Sequence, residues 1–397
     1  MARVVVSILA VGVLAVAAAC TAPGTSANAP SQAPSYAAGL QPKLEQIAKD
    51  RLLTGAVVLV RSPELGDWTW QTGTRTYRGN DPVQVGDHVR VGSNTKTWTG
   101  TVILQLVGEG RLALDDPVSK YRPDVPNGQN ITIAQLLDMR SGLANYTVDF
   151  DLNNQMDIYP TKVWKPEELL AKAFAMPPVA TPGEKFFYSN TNTVLLGLII
   201  EQLTGHPVAE EFRNRLFAPL GMNNTVMPDL SSTAIPDPHP RGYTYGTNVG
   251  TIDSLVLPPD VQAAAKTGEI VPMDVTDVNP SWGWTAGAGI STAEDLARWV
   301  EALGGGGLLT PDLQKQRLAS VQAISPGDPA SAGYGLALAR FGHLYGHSGE
   351  LPGYNSFMGY DPDRKITIVA WATPAPSVDG NGPAVELAKS VIGTLYG

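Results

Sequence analysis

Strand-like segments lie near both ends of this chain and helical segments fill its middle, an order that few folds can accommodate. Near the start, TGAVVLVRS reads as a strand and WTWQTGTRTY as its hairpin partner, with Pro63 to Gly66 in the turn. DHVRVGS adds a shorter extended piece. Near the end, YGLALARFG, HLYGHSG, YNSFMGYDPD and KITIVAWA read as strands joined by hairpin turns. Between these groups the apolar residues recur at helical intervals. Trp98, Val102, Ile103, Leu106 and Val107 share one helix face, and WKPEELLAKAF, NTVLLGLIIEQLTG and PVAEEFRNRLFAPLG follow in turn. A short helix is predicted over 133–139 with Thr132 as its cap, and another in STAEDLARWVEALGGGG capped by Ser291 or Thr292. Helices at 38–50 and in AVELAKSVIGTLYG flank the whole, and 226–283 reads as long ordered loops around a site. A sheet assembled from both chain ends explains this order. The fold class is α/β plus all-α: an antiparallel sheet flanked by helices, built from 38–120 and 285–397, with a mainly helical domain, 121–284, inserted.

The first nineteen residues are a signal segment rather than fold material. Arg3 is the only charge before an apolar stretch from Val4 to Ala19 that is short for a membrane span. It ends in Ala17-Ala18-Ala19-Cys20, which resembles a bacterial lipoprotein processing site although leucine is usual where Ala17 stands. Lipidation of Cys20 would hold the mature chain at the outer face of a membrane. Ordinary cleavage, after Ala29 in SANA, is the competing reading and would make it a secreted protein. Residues 20–37 are small, polar and proline-rich, as suits a flexible tether. Cys20 is the only cysteine, so neither an intramolecular disulfide nor a cysteine metal cluster is available.

With 28 basic and 37 acidic residues the formal charge is −9, and no basic run follows the signal segment. Nucleic acid is therefore not the expected partner. An anionic small substrate remains compatible, because a site can be locally positive in an acidic protein.

Ser93 and Lys96 stand one helical turn apart in VGSNTKTWTG, where a strand-like piece gives way to an apolar helix. Serine needs a base within about 2.6–3.2 Å to act as a nucleophile. A lysine held in a desolvated pocket loses its proton more readily and can serve as that base, directly or through Tyr188. The helix N-terminus favours developing negative charge. Tyr188 and Asn190 lie in GEKFFYSNTNTVLLG, between a Pro-Gly turn and a long apolar helix. The phenol can relay a proton to a leaving group, and the amide can orient the lysine and bond a substrate carbonyl. His347, Ser348 and Gly349 sit between two strands. A glycine at an exposed edge lets a substrate backbone approach, and the Glu350 amide can pair with that of Ser93 as an oxyanion hole. His347 can polarise the Tyr188–Lys96 network without being the base.

Taken together, these elements resemble the serine beta-lactamase and penicillin-binding-protein superfamily. The chain is most similar to the branch of class C beta-lactamases, the secreted Streptomyces D-alanyl-D-alanine carboxypeptidase and related serine esterases. Ser93-Asn94-Thr95-Lys96 matches S-x-x-K, Tyr188-Ser189-Asn190 matches Y-x-N, and His347-Ser348-Gly349 matches the third motif; LALDDPVSKYRPDVP, ITIAQLLDMRSGL and AGAGISTAEDLARW fit as well. The resemblance spans about residues 40–395. It implies a beta-lactamase/transpeptidase-like fold, a Ser93 acyl-enzyme hydrolysed by water, and no metal or organic cofactor. Carboxypeptidases of this type hold the substrate carboxylate with hydroxyls beside the third motif and a strand arginine. Here Ser348 supplies one hydroxyl, Glu350 replaces a threonine, and Ala339 stands at the arginine position with Arg340 one place along.

The leading expectation is thus a D-alanyl-D-alanine carboxypeptidase-like or penicillin-interacting enzyme of the cell envelope, acting as a monomer on a small-molecule or peptidoglycan-stem substrate. A serine esterase is the alternative, with Trp282 and Trp284 as pocket-lining residues. A catalytically inactive binding protein of the same fold is the third.

Overall fold

The computed structural model describes residues 33–325, 327 and 332–397; the signal segment, Cys20 and the tether up to 32 lie outside the described residues, while 35–37, expected as tether, open the first helix, Ser35–Asp50. Its strands are β1 (Gly55–Arg61), β2 (Trp68–Gly73), β3 (Val89–Arg90), β4 (Tyr243–Thr244), β5 (Met273–Asp274), β6 (Ile290–Ser291), β7 (Gln322–Ala323), β8 (Gly333–Gly335), β9 (Leu338–Phe341), β10 (Leu344–Leu351), β11 (Tyr354–Asp361) and β12 (Ile366–Thr373). Eight of them form one antiparallel sheet in the order β2-β1-β12-β11-β10-β9-β8-β7. The first strand of the chain therefore pairs with the last, Val58 opposite Ala370.

Both faces of this sheet are covered, which is why β1 and β12 read as continuous apolar runs instead of alternating ones. Ala56, Val58 and Val60 face Leu40, Leu44, Leu387 and Val391 of the first and last helices, Ser35–Asp50 and Pro383–Tyr396. Val57 and Leu59 face the other way, into a core shared with Trp98, Leu296 and Trp299. Burying one such side chain contributes roughly 1.5–3 kcal/mol, so a slip of one residue in β1 would exchange two filled cores for two mismatched ones. The second core continues without a break into the central helices, where Leu195, Ile199 and Phe212 join it.

Local signals mark several element ends. Thr132 accepts from the Gln135 amide while the Gln135 side chain accepts from Thr132, a complete capping box on Ile133–Leu137. Thr292, not Ser291, caps Ala293–Gly305; Ser291 belongs to β6. Two expectations need correction. YGLALAR is a hairpin of β8 and β9 rather than one strand, turned at Leu336 and at Ala337, whose φ is 50°. The stretch 226–283 is not all loop. It holds a helix, Pro259–Thr267, which opens with proline, runs through alanines and ends at Gly268.

One detail of the topology matters for the site. β9 pairs with β10 only at Leu344, Tyr345 and Gly346. From His347 to Leu351, β10 is paired with β11 on one side, and among the described residues its other edge carries no strand.

Candidate active site

Ser93 stands in a single 3-10 turn, Gly92–Asn94, that leads into the helix Thr95–Gly108. The turn is pinned from both sides. Asn94 Nδ2 donates to Val91 O at 3.1 Å and to Ser356 Oγ of β11 at 2.7 Å. Thr95 Oγ1 donates to Gly92 O at 2.7 Å and accepts from Gly289 N at 3.1 Å. Gly92 has φ 55°, where a side chain is strained, and a Cβ there would lie 2.5 Å from the Glu350 amide nitrogen. The Ser93 turn and the edge of β10 therefore meet backbone to backbone beside the amides of Ser93 and Glu350.

Lys96 follows on the same helix face and is fully buried. Its Nζ lies 3.0 Å from Ser93 Oγ, 2.6 Å from Asn190 Oδ1 and 2.6 Å from Ala286 O. No carboxylate is among these partners, and burial holds the amine well below its ordinary pKa. Asn190 opens the helix Asn190–Thr204. Its orientation is set by Asn145, whose Oδ1 accepts from Asn190 N at 3.2 Å and from Asn190 Nδ2 at 3.3 Å. That leaves Asn190 Oδ1 free to face the lysine.

Tyr188 lies across the same space. Lys96 Nζ is 4.9 Å from its ring centroid, and its hydroxyl hydrogen-bonds the Ser93 side chain. Burial raises its pKa, so the phenol stays protonated. His347 is placed differently from expectation. Its Nε2 contacts Tyr334 OH at 3.1 Å, and its Nδ1 contacts the Ser348 carbonyl. A carbonyl only accepts, so Nδ1 carries the proton and Nε2 accepts from the tyrosine. Burial, with the nearness of Lys96 second, lowers the ring to about 3. His347 is thus a neutral ring that touches Tyr188 only by ring contact, with centroids 6.2 Å apart. Tyr334 feels in turn the charge of Arg317, from the helix Pro311–Ala319. The Arg317 guanidinium is fully buried and donates to Leu336 O, Ala337 O and Thr101 Oγ1. Burial lowers it to about 9.

Ser348, Gly349 and Glu350 lie on the unpaired edge. A Cβ on Gly349 would come 2.9 Å from Ser93 N, so only glycine fits. Glu350 lines a large cavity together with Asn190 and Trp282. One of its oxygens accepts from Asn355 Nδ2 at 3.0 Å, and burial raises its pKa to about 7. Ala339 is buried in the cluster of Tyr334 and Tyr188, whereas Arg340 is exposed and lies against Gly305 and Tyr345 on the other face. No bulge returns the arginine to the site. Trp282 lines the cavity; Trp284 packs into the core beside Leu198 instead. Asn145, Tyr334 and the Ala286 carbonyl were not singled out in the sequence. Among the described residues no group of three or more His, Cys, Asp or Glu side chains is gathered as for a metal ion.

The beta-lactamase family model matches residues 42–390. This chain belongs to the beta-lactamase family. Among relatives of this beta-lactamase-family chain, protein flp of Staphylococcus aureus (strain N315) is 30% identical over 296 residues, covering 71% of this chain and 52% of that protein. Penicillin-binding protein 4* of Bacillus subtilis (strain 168) is 28% identical over 293 residues, covering 72% of this chain and 61% of that protein. The chain thus spans about half the length of the first and three fifths of the second. Two solved structures match it nearly end to end. A D-stereospecific amidohydrolase from Streptomyces sp. superposes with a TM-score of 0.73 at 30% identity, covering 88% of this chain and 97% of that one. The D-amino acid amidase of Ochrobactrum anthropi SV3, complexed with L-phenylalanine amide, gives 0.71 at 25% identity, covering 90% and 100%. The antiparallel sheet flanked by helices is the fold of these neighbours.

Proposed function

We propose that this chain is a serine hydrolase that works through a Ser93 acyl-enzyme on D-alanyl-D-alanine-like peptide or amide bonds of the peptidoglycan-stem class. The set of partners around Lys96 Nζ carries the reading. A neutral amine has two N–H bonds and one lone pair. Asn190 Oδ1 and Ala286 O are pure acceptors and take the two N–H groups, which turns the lone pair to Ser93 Oγ, 3.0 Å away. A buried lysine with no carboxylate beside it favours that neutral form.

In acylation, Ser93 Oγ gives its proton to Lys96 Nζ and bonds to the substrate carbonyl carbon. The carbonyl oxygen takes the displaced electron pair between the Ser93 and Glu350 amides. The bond to the leaving nitrogen or oxygen then breaks, and the proton on Lys96 reaches that atom through the Tyr188 hydroxyl. Water adds to the acyl-enzyme, releases the acid and restores Ser93. His347 and Tyr334 support Tyr188 and the β10 backbone. Ser348, Gly349 and Glu350 offer an open strand edge to an extended substrate. The preference for D-configured substrates is supported by likeness to the D-stereospecific amidohydrolase and the D-amino acid amidase.

A serine esterase acting on uncharged esters is the second reading. It is favoured by the outward Arg340, the small Ala339 and the carboxyl of Glu350 in the cavity, which together leave no cation for a terminal carboxylate. Intact-mass labelling with penicillin, a fluorophosphonate and an activated ester tests the acyl-enzyme. Turnover of a D-Ala-D-Ala peptide, a D-amino acid amide and a short-chain ester, each against Ser93→Ala, ranks the substrates. Absence of any Ser93 adduct would return the chain to the class of binding proteins. An exported location with a lipid on Cys20 is part of the proposal; it rests on residues 4–20 and is tested by the mass of the mature N-terminus.

A further inference from the structure

Exposed apolar side chains are ordinary when scattered and informative when gathered. Among the described residues ten large hydrophobic side chains are exposed, and nine lie in two segments, 148–163 and 255–273. These segments flank one cavity of about 440 Å³, a size typical of small-molecule sites. Val148, Leu152, Met156, Leu255, Met273 and Trp282 line it. Val148, Leu255 and Met273 are also rim residues, exposed by 53%, 42% and 50%.

The cavity walls are tied together. Asp157 accepts from Asn248 N and Nδ2 at 2.8 and 2.7 Å and from Val249 N at 2.9 Å. Asp274 is engaged by Arg241 and by Thr276 Oγ1. These two lining carboxylates are occupied by protein donors, Glu350 at the catalytic end accepts from Asn355, and among the described residues no lysine, arginine or histidine lines the cavity. The space therefore offers no cation to an anionic group and, among its threonine and asparagine lining, presents those apolar side chains to a substrate chain.

Its position relative to the nucleophile decides what occupies it. Asn190 and Glu350 line the catalytic end, whereas Tyr188, Tyr334, His347 and Ala339 do not line it at all. Tyr188 delivers the proton to the leaving group, so the leaving group departs on the tyrosine side and the acyl group lies on the other. We infer that this cavity is an acyl-group subsite for an uncharged, extended apolar acyl chain of medium length, whose end reaches the rim formed by Val148, Leu255 and Met273. The inference rests on the Ser93 acyl-enzyme reading and, within it, carries the esterase reading further by naming the acyl part of its substrate.

Two ester series test it: p-nitrophenyl esters from acetyl to dodecanoyl, and alkyl acetates of matching length in the alcohol. Each buried methylene should raise kcat/KM roughly fourfold in the acyl series up to between hexanoyl and decanoyl, with a flat response in the alcohol series. Val148→Asp and Met273→Asp, both at exposed positions, should lower the octanoyl-to-acetyl ratio of kcat/KM at least tenfold. A flat acyl series, a rise only in the alcohol series, or an unchanged ratio in both variants overturns the inference. So does a loss of vesicle binding or self-association in the variants without a change in that ratio, which would mark the rim as a docking face. Intact-mass detection of an acetyl adduct on Ser93 separates this failure from failure of the hydrolase reading.

Discussion

Gly349 abuts Ser93 so closely that a Cβ on the glycine would stand 2.9 Å from the Ser93 amide nitrogen. The reciprocal approach of Gly92 to the Glu350 amide is tighter still. The two amides proposed as oxyanion donors are thus spaced by the absence of two side chains. Gly349→Ala should push β10 away from the nucleophile turn. Loss of one oxyanion donor lowers acylation by about 10²–10³-fold, and a time course of Ser93 labelling reads it. A wild-type rate in a variant with a normal melting curve would remove these amides from the mechanism.

Lys96 is expected to trade stability for chemistry. Its pKa is lowered by burial, so between the folded value and the unfolded value near 10.4 the unfolded chain binds the extra proton. The lysine's contribution is therefore fully present above the unfolded pKa and is lost as pH falls towards the folded one. Lys96→Met should raise Tm at neutral pH and remove this slope, while cutting acylation by about 10³-fold or more and leaving noncovalent substrate affinity within a few fold. In the unmodified protein, acylation should rise with pH through the lowered lysine pKa. His347 contributes no limb near 6.5, because it stays neutral down to about 3.

Asn145 acts on the reaction through Asn190 and touches neither Ser93 nor Lys96. Asn145→Ala should lower kcat about tenfold with little change in KM, because it frees Asn190 to turn away from Lys96. The pair Asn145→Ala with Asn190→Ala should be no worse than Asn190→Ala alone. Full additivity of the two losses would show that Asn145 is only packing.

Glu350 gives a stability test with a defined sign. Its pKa is raised by burial to about 7, so between its unfolded value and about 7 the folded chain binds the extra proton. Stability from this group is present below the unfolded pKa and is lost as pH rises through 7. Glu350→Gln should be near neutral at pH 5 and stabilising by about 2 kcal/mol at pH 8, a figure reduced for the group's contact with the open cavity. Denaturant melts at the two pH values measure it; equal shifts at both would mean that Glu350 titrates normally.

Much of this arrangement was legible in the residues. A sheet assembled from both chain ends followed from strand-like runs at each end, and the adjacency of Ser93 and Lys96 from helical spacing; the pairing of β1 with β12 came from the structure. What stayed hidden was of two kinds. The Ala286 carbonyl is main chain, and every residue has one, so no pattern in the letters marks it as the second acceptor for Lys96. Asn145 and Tyr334 come from segments distant in sequence and gain their roles only when folding brings them beside Asn190 and His347. The β8–β9 hairpin reads as one strand in the sequence because its turn uses Leu336 and Ala337, neither of which announces a reversal. The helix Pro259–Thr267 did carry signals, proline at its start and glycine after its end, but lacks a clear apolar stripe.

Arg317 is bolted between the nucleophile helix, through Thr101, and the β8–β9 hairpin, through the carbonyls of Leu336 and Ala337. The same hairpin carries the tyrosine that holds His347. A screen for inactive clones should therefore recover lesions at this arginine, outside the cleft, and would misjudge the anatomy of the enzyme if it took every such lesion for a contact with substrate.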